Sequence, residues 1–272
     1  PRVAGQVHRA PHRGSTHRSP DPEMAESGVL EEGKWRQSEE GTPQGGSISP
    51  LLANIFLHYV FDLWAARWAR TQANGEMIAV RFADDLVVGF QYESDAERFR
   101  KELSERFQQF NLELHSGKTR LIEFGRHAAG NRLRRGLRKP ETFDFLGFTH
   151  ICATTRGGRF TVARHTIRKR LRAKLAELKA ELRRRLHWPV AEVGQWLKRV
   201  LMGHFAYYGV PLNSRALSTF RWQVGRLWLA AIRRRSQKAR LRWTRMQRLI
   251  DTWLPPVRLC HPWPSQRQRV TT

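Results

Sequence analysis

The chain has 272 residues, and 49 Lys and Arg against 24 Asp and Glu give it a formal charge of +25. With 40% hydrophobic residues it can bury a core and form one or two domains, but so much positive charge repels itself until a polyanion neutralises it. Nucleic acid is therefore the first candidate partner and an anionic membrane surface the second, while a cationic or neutral small molecule alone is excluded. Two distant cysteines, Cys152 and Cys260, exclude a disulfide framework and a paired-cysteine zinc site. No run of 18 apolar residues exists to span a membrane, so no membrane partner and a reducing, cytoplasmic setting are expected.

Residues 1–23 hold four arginines, three histidines and four prolines with only small apolar residues, and read as a disordered or non-native segment. Gly41-Thr42-Pro43-Gln44-Gly45-Gly46 is a Gly/Pro loop. Ser49 as N-cap and Pro50 at the first helical position then start a helix. Its apolar positions, Leu51, Leu52, Ile55, Phe56, Tyr59, Val60, Leu63 and Trp64, carry it to about Arg70. Asn74-Gly75 breaks the chain.

Met77 to Phe90 holds two β-rich runs around Asp84-Asp85, a hairpin with the acids at its tip. Ser94 and Glu97 have the spacing of a capping box, and the helix after them places Ala96, Phe99, Leu103, Phe107 and Phe110 on one face. Strand signals follow at 112–115, 119–125 and 142–152, and a last hairpin turns at Gly157-Gly158. Composition changes near residue 164. From there the pattern predicts helices over 164–187 and near 190–208, 213–233 and 238–252. The first has ten Lys or Arg against two Glu. Residues 215–248 hold eleven Lys or Arg and no acid, and seven of the ten tryptophans lie between Trp188 and Trp263.

Adjacent aspartates repel unless a cation lies between them, which makes Asp84 and Asp85 candidate Mg²⁺ ligands; the alternative is a solvated acidic turn. The loop of Pro43, Gln44 and Gly45 lets backbone approach a bound strand or nucleotide and precedes a helix N-terminus, though it could be a simple capped loop. Lys118, in a turn before a strand, could meet a phosphate or be a solvated lysine. The arginine runs Arg183, Arg184, Arg185 and Arg233, Arg234, Arg235, interleaved with aromatic rings, suit RNA contact through phosphates and base stacking. Trp196, Trp222 and Trp228 are expected in the core.

Together these stretches resemble group II intron-encoded reverse transcriptases. Residues 41–55 look like the fourth conserved block of that family. Arg81-Phe82-Ala83-Asp84-Asp85 looks like its Tyr-Ala-Asp-Asp box, with Phe82 in place of Tyr. Leu112 to Arg120 looks like the next block, Phe143 to Phe148 like the primer grip, and Gly203-His204-Phe205-Ala206-Tyr207-Tyr208 like the maturase signature.

The resemblance implies an α+β fold, with a partial polymerase palm over 24–163 (antiparallel sheet with packed helices) followed by an all-helical thumb and maturase domain over 164–272. It implies RNA-directed DNA polymerase activity with splicing assistance. Asp84 and Asp85 would be catalytic and metal-binding with Mg²⁺. Pro43, Gln44, Gly45 and Lys118 would meet template and nucleotide, and Phe145, Leu146 and Gly147 would grip the primer. Intron RNA, a DNA primer or target and dNTPs are the implied partners, and a homodimer is a further candidate. The family's other metal-binding Asp lies upstream of the Gly-Thr-Pro-Gln loop, where this chain has only Asp21 between two prolines. That departure suggests a truncated or frame-disrupted copy, or an RNA-binding maturase or remnant without polymerase activity.

Overall fold

The computed structural model describes residues 2–7, 29–31, 34–36, 48–235 and 241–263. The Pro43-Gln44-Gly45 loop lies outside them. The chain divides into two compact units, residues 1–145 and 146–272, whereas the sequence composition changes at about 164.

In the first unit, β-rich runs with period-two alternation become strands. Strands β1 (Arg2–Val7), β4 (Met77–Phe82), β5 (Asp85–Phe90) and β6 (Leu121–Ile122) form one sheet in the order β4-β5-β1-β6, antiparallel throughout. Within the segment expected to lack structure, Arg2–Val7 is thus a strand between β5 and β6; backbone pairing on both edges holds it there whatever its composition. A separate ribbon joins β2 (Val29–Glu31) to β3 (Lys34–Arg36).

The predicted single helix over 50–70 is three pieces: α1 (Ser49–Leu57), a π turn (His58–Asp62) and α2 (Leu63–Thr71). Ser49 is already helical, and Ile48 takes the cap position without a side-chain hydrogen bond. Arg106 accounts for the π turn. Its Nε donates to the Val60 carbonyl at 2.5 Å and a terminal nitrogen donates to the Tyr59 carbonyl at 3.3 Å, occupying acceptors that the widened turn presents. Likewise α3 (Glu93–Gln109) starts one residue before Ser94, on Tyr92, so the capping box does not form. Helix α4 (Ala128–Arg134) has no counterpart in the sequence pattern, and of the strand expected over 112–115 only Leu114 forms an isolated β-bridge.

The first core is aromatic. Trp68 of α2, Phe90 of β5 and Phe99 of α3 meet with ring centroids 5.0–5.9 Å apart, joined by Phe61, Leu86, Val88, Leu103 and Phe107. Each such side chain stabilises the fold by about 1.5–3 kcal/mol on burial. Asp95 of α3 is 1% exposed. Its carboxylate accepts from the Asn74 backbone and side chain at 2.8 Å each, and from the Gly75 amide at 3.3 Å. It therefore fixes the turn that launches β4. Strand β7 (Phe143–Phe145) closes this unit, with Phe143 edge-on to Phe124 at 5.1 Å.

The second unit opens on a hairpin, β8 (Phe148–Thr154) paired antiparallel with β9 (Phe160–Thr166) through the predicted glycine turn. This is the hairpin expected before residue 164; β9 runs on to Thr166, so helix α5 starts at Arg168, later than the expected 164. Four helices follow: α5 (Arg168–Arg184), α6 (Val190–Tyr208), α7 (Ser214–Arg233) and α8 (Trp243–Trp253). Their apolar stripes meet around Trp228, Phe220, Leu197, Leu201, Leu217 and Met246, all under 2% exposed. Buried Asn213 ties β9 to the α6–α7 connection: it accepts from the Thr166 amide at 3.1 Å and donates to Thr166 Oγ1 at 2.9 Å and to the Tyr208 carbonyl at 2.8 Å.

Candidate catalytic hairpin and basic helical surface

β4 and β5 pair in register from Met77↔Phe90 to Phe82↔Asp85, leaving Ala83 and Asp84 as a two-residue loop. Asp84 is exposed at the tip and Asp85, the first residue of β5, is half-buried. Ala83 has φ +52°, a left-handed conformation that costs an L-residue roughly 1–2 kcal/mol. The tip is therefore a strained turn that presents two adjacent carboxylates.

Period two on β4 puts Met77, Ala79 and Arg81 toward the helices, where they line a groove of about 350 Å³ with Phe61, Asp62 and Ala65. There Arg81 meets the end of the π turn. Its Nε and one terminal nitrogen donate to the two Asp62 oxygens at 2.8 and 2.6 Å. Its other terminal nitrogen donates to Asn54 Oδ1 at 2.9 Å and to the Ala83 carbonyl at 3.1 Å. The Arg81 hydrogen bond is the main cause holding the Asp62 carboxyl below its ordinary value of 3.8. One guanidinium thus joins α1, the π turn and the carbonyl of the strained alanine.

Two carboxylates on an open turn suit a hard divalent cation that fills its remaining positions with water and phosphate oxygens. Among the described residues no group of three or more His, Cys, Asp or Glu is placed to hold a metal. Lys118 is exposed in a separate turn, where its amide and that of Thr119 donate to the His115 carbonyl; it makes no ion pair with a described residue. Phe145 is buried. Leu146 and Gly147 turn the chain with φ +47° and +81°; Tyr207 Oη donates to the Leu146 carbonyl at 2.8 Å. A Cβ at Gly147 would stand 3.0 Å from Tyr208 Oη, so that turn and the end of α6 fit closely.

In the second unit the arginine runs divide. Arg185 is half-buried over the rings of Trp196 at 4.5 Å and Trp188 at 5.1 Å, and it pairs with Glu181. Arg184 shares Glu181 at 2.6 Å, while Arg183 is exposed. Hydrogen bonds from Arg185 are the main reason the Glu181 carboxyl lies below its ordinary value. Arg233 Nε donates to the Leu241 carbonyl at 2.9 Å, Arg234 is exposed and Arg235 half-buried. Of the three tryptophans expected in the core, Trp228 is buried and Trp196 partly so. Trp222 is 48% exposed with Arg226 4.7 Å above its ring, a platform on the surface.

A further feature, absent from the sequence expectations, is a groove of about 560 Å³ lined by Arg170, Lys174, Arg199, Gly203, His204 and Tyr208. Arg170 and Arg199 are exposed and make no ion pair with a described residue; Lys174 pairs with Glu177 at 2.7 Å. A Cβ at Gly203 would meet no atom within 4 Å, so the helix backbone borders open space there.

Residues 21–150 match the family model described as reverse transcriptase (RNA-dependent DNA polymerase). The matched span contains the acid hairpin, Lys118 and the Phe145–Gly147 turn. Its mixed helices and small antiparallel sheets are consistent with a partial polymerase palm, and the match suggests a nucleotidyltransferase-like function that binds nucleic acid and dNTPs. No curated protein matches the chain. Among the described residues no helix is long and apolar enough to cross a membrane.

Sequence reasoning missed Asn54, Asp62 and Arg81 as parts of this hairpin. The available signal was two lone charges in apolar runs, Asp62 within Val60-Phe61-Asp62-Leu63-Trp64 and Arg81 within Ala79-Val80-Arg81-Phe82. Part-buried charges of opposite sign in such runs need partners.

Proposed function

We propose that the chain is the polymerase and RNA-binding portion of a group II intron reverse transcriptase. It would extend a DNA primer on an RNA template and use its basic helical unit to grip intron RNA during splicing. The observation that carries this reading is the acid hairpin, Asp84 and Asp85 at the tip of β4–β5, inside the span matched by the reverse transcriptase family. Mg²⁺ bound there would stabilise charge on the attacking and leaving oxygens of nucleotidyl transfer. The chain's own part is to fix the two carboxylates and to orient the strand and nucleotide with Pro43, Gln44, Gly45, Lys118 and the Phe145-Leu146-Gly147 turn. The helical unit contributes exposed cations and rings: Arg183, Arg234, and the Trp222–Arg226 stack suit a phosphate backbone with unstacked bases.

A second reading, an RNA-binding maturase without polymerisation, is favoured by one observation. The strand beside β5 reads Arg2-Val3-Ala4-Gly5-Gln6-Val7, and Val7 stands opposite Leu86, next to Asp85. The sequence of that strand contains no Asp or Glu.

Mg²⁺-dependent primer extension on an RNA template, with Asp84→Ala as control, separates the two. Extension that disappears in the variant supports the polymerase. Soluble, folded protein that binds RNA without extending a primer supports the second reading.

A further inference from the structure

The acid hairpin is held by residues outside its own motif. Arg81 is 13% exposed and forks between four acceptor oxygens on three residues: both carboxylate oxygens of Asp62, Asn54 Oδ1 and the carbonyl of Ala83. Asp62 ends the π turn, and that turn is itself held by Arg106 on the Val60 and Tyr59 carbonyls. Every link runs through side chains of the first unit to the one residue whose left-handed backbone sets the direction of Asp84. A planar guanidinium, with five donors in a fixed fork, can serve these four oxygens at once, whereas a lysine ammonium has only three donors on a single nitrogen. Without it the carbonyl of Ala83 loses the Arg81 donor that links it to Asp62 and Asn54.

We infer that Arg81, clamped by Asp62 and Asn54, is a positioning residue that fixes the Asp84 and Asp85 carboxylates for a divalent cation. The inference rests on the reading of the hairpin as a metal-binding polymerase tip. It goes beyond that reading in giving Asn54 and Asp62, which touch neither nucleotide nor nucleic acid in it, a measurable effect on the tip. Groups that orient metal ligands in this way typically change metal affinity or activity by about 10- to 100-fold when removed.

The test uses the full chain with Mn²⁺ alone as probe, the free ion being counted by electron paramagnetic resonance and Asp84→Ala serving as the blank. Asp62→Asn, of the same shape but uncharged, is expected to weaken Mn²⁺ binding about tenfold, and Arg81→Lys by a similar factor. A purely structural role would lower the unfolding midpoint and leave Mn²⁺ affinity unchanged. Equal affinity in the native chain and in folded Asp62→Asn therefore overturns the inference, as does a native chain that binds no more Mn²⁺ than the blank. Should Asp62→Asn fail to fold, Asn54→Ala on the exposed face of α1 takes its place, with a smaller loss expected in the same direction. Primer extension isolates the underlying reading: kcat is expected to fall about tenfold with the KM for dNTP nearly unchanged. A native chain that binds Mn²⁺ at the tip but does not extend a primer overturns the polymerase reading and not the clamp.

Discussion

His204 makes the second unit acid-sensitive in a way that can be calculated. Its ring lies 3.8 Å from Phe220 and 4.6 Å from Tyr208, on the floor of the groove lined by Arg170, Lys174, Glu177 and Arg199. Burial, and then the Lys174 ammonium, push its pKa from 6.5 down to about 4. Between those values the unfolded chain binds a proton that the folded chain refuses, so stability is complete above pH 6.5 and falls as the pH drops toward 4. At pH 5 the loss is about 2 kcal/mol at 1.36 kcal/mol per pH unit. Because the ring is only partly buried, solvent screening reduces this to about 1 kcal/mol. The assay is urea unfolding followed by tryptophan fluorescence, which reports mainly on the second unit because seven of the ten tryptophans lie there. Native protein should lose about 1 kcal/mol more than His204→Phe between pH 7.5 and 5. A difference between the two proteins that is the same at both pH values refutes the argument, because the burial assigned to the ring would then carry no protonation cost.

Other outcomes follow from the same structure. Asp95→Ala strands the Asn74 and Gly75 amides and should destabilise the first unit by about 3 kcal/mol, read by denaturant unfolding. Gly194→Ala would put a Cβ 2.5 Å from Trp253 Cγ, so α6 and α8 must part, at about 1–3 kcal/mol in the unfolding of the second unit. The Asp62 carboxyl lies below 3.8 when folded, so the contribution of its Arg81 pair is complete above that pH and is lost as the pH falls further. Acid titration of native protein against Asp62→Asn checks this, and parallel curves would contradict it. For RNA binding, Arg199→Gln should weaken affinity on all sequences alike and reduce the slope of log affinity against log salt by about 1. Gly203→Leu fills the same groove without changing charge and should weaken binding comparably, while helix stability rises by up to about 1 kcal/mol.

Local patterns carried much of this fold. The alternation from Met77 to Phe90, the Gly157-Gly158 turn and the leucine spacing of the basic helices all appear at their expected places, because each is decided by neighbours within a turn or a pair of strands. The failures share a different cause. Helix α1 reads as continuous with α2 until Arg106, more than forty residues later, donates to the carbonyls of the π turn. Arg2–Val7 reads as structureless until β5 and β6 are present to pair with it. The Ser94–Glu97 spacing predicts a capping box, but α3 begins at Glu93 and Asp95 turns its carboxylate to the Asn74-Gly75 turn instead. Long-range polar partners cannot be counted from spacing along the chain.

The same distinction governs how a basic sequence becomes a binding surface. Arg183-Arg184-Arg185 reads as one cluster, yet Glu181 holds two of its members and the Trp188 and Trp196 rings take one of those as packing. Such an arginine is already desolvated and paired, and moving it to a phosphate would sacrifice those contacts for new ones of the same kind. Arg170 and Arg199 have no ion pair to give up among the described residues, and they face one groove from two helices, though they are far apart in the sequence. A phosphate bound between them releases counterions without breaking a protein contact. For that reason Arg199→Gln should alter the salt dependence of RNA binding more than Arg185→Gln, while Arg185→Gln should lower the stability of the second unit more. The reverse order in the two assays would mean that charge density along the chain, rather than the pairing of each guanidinium, determines which arginines meet RNA.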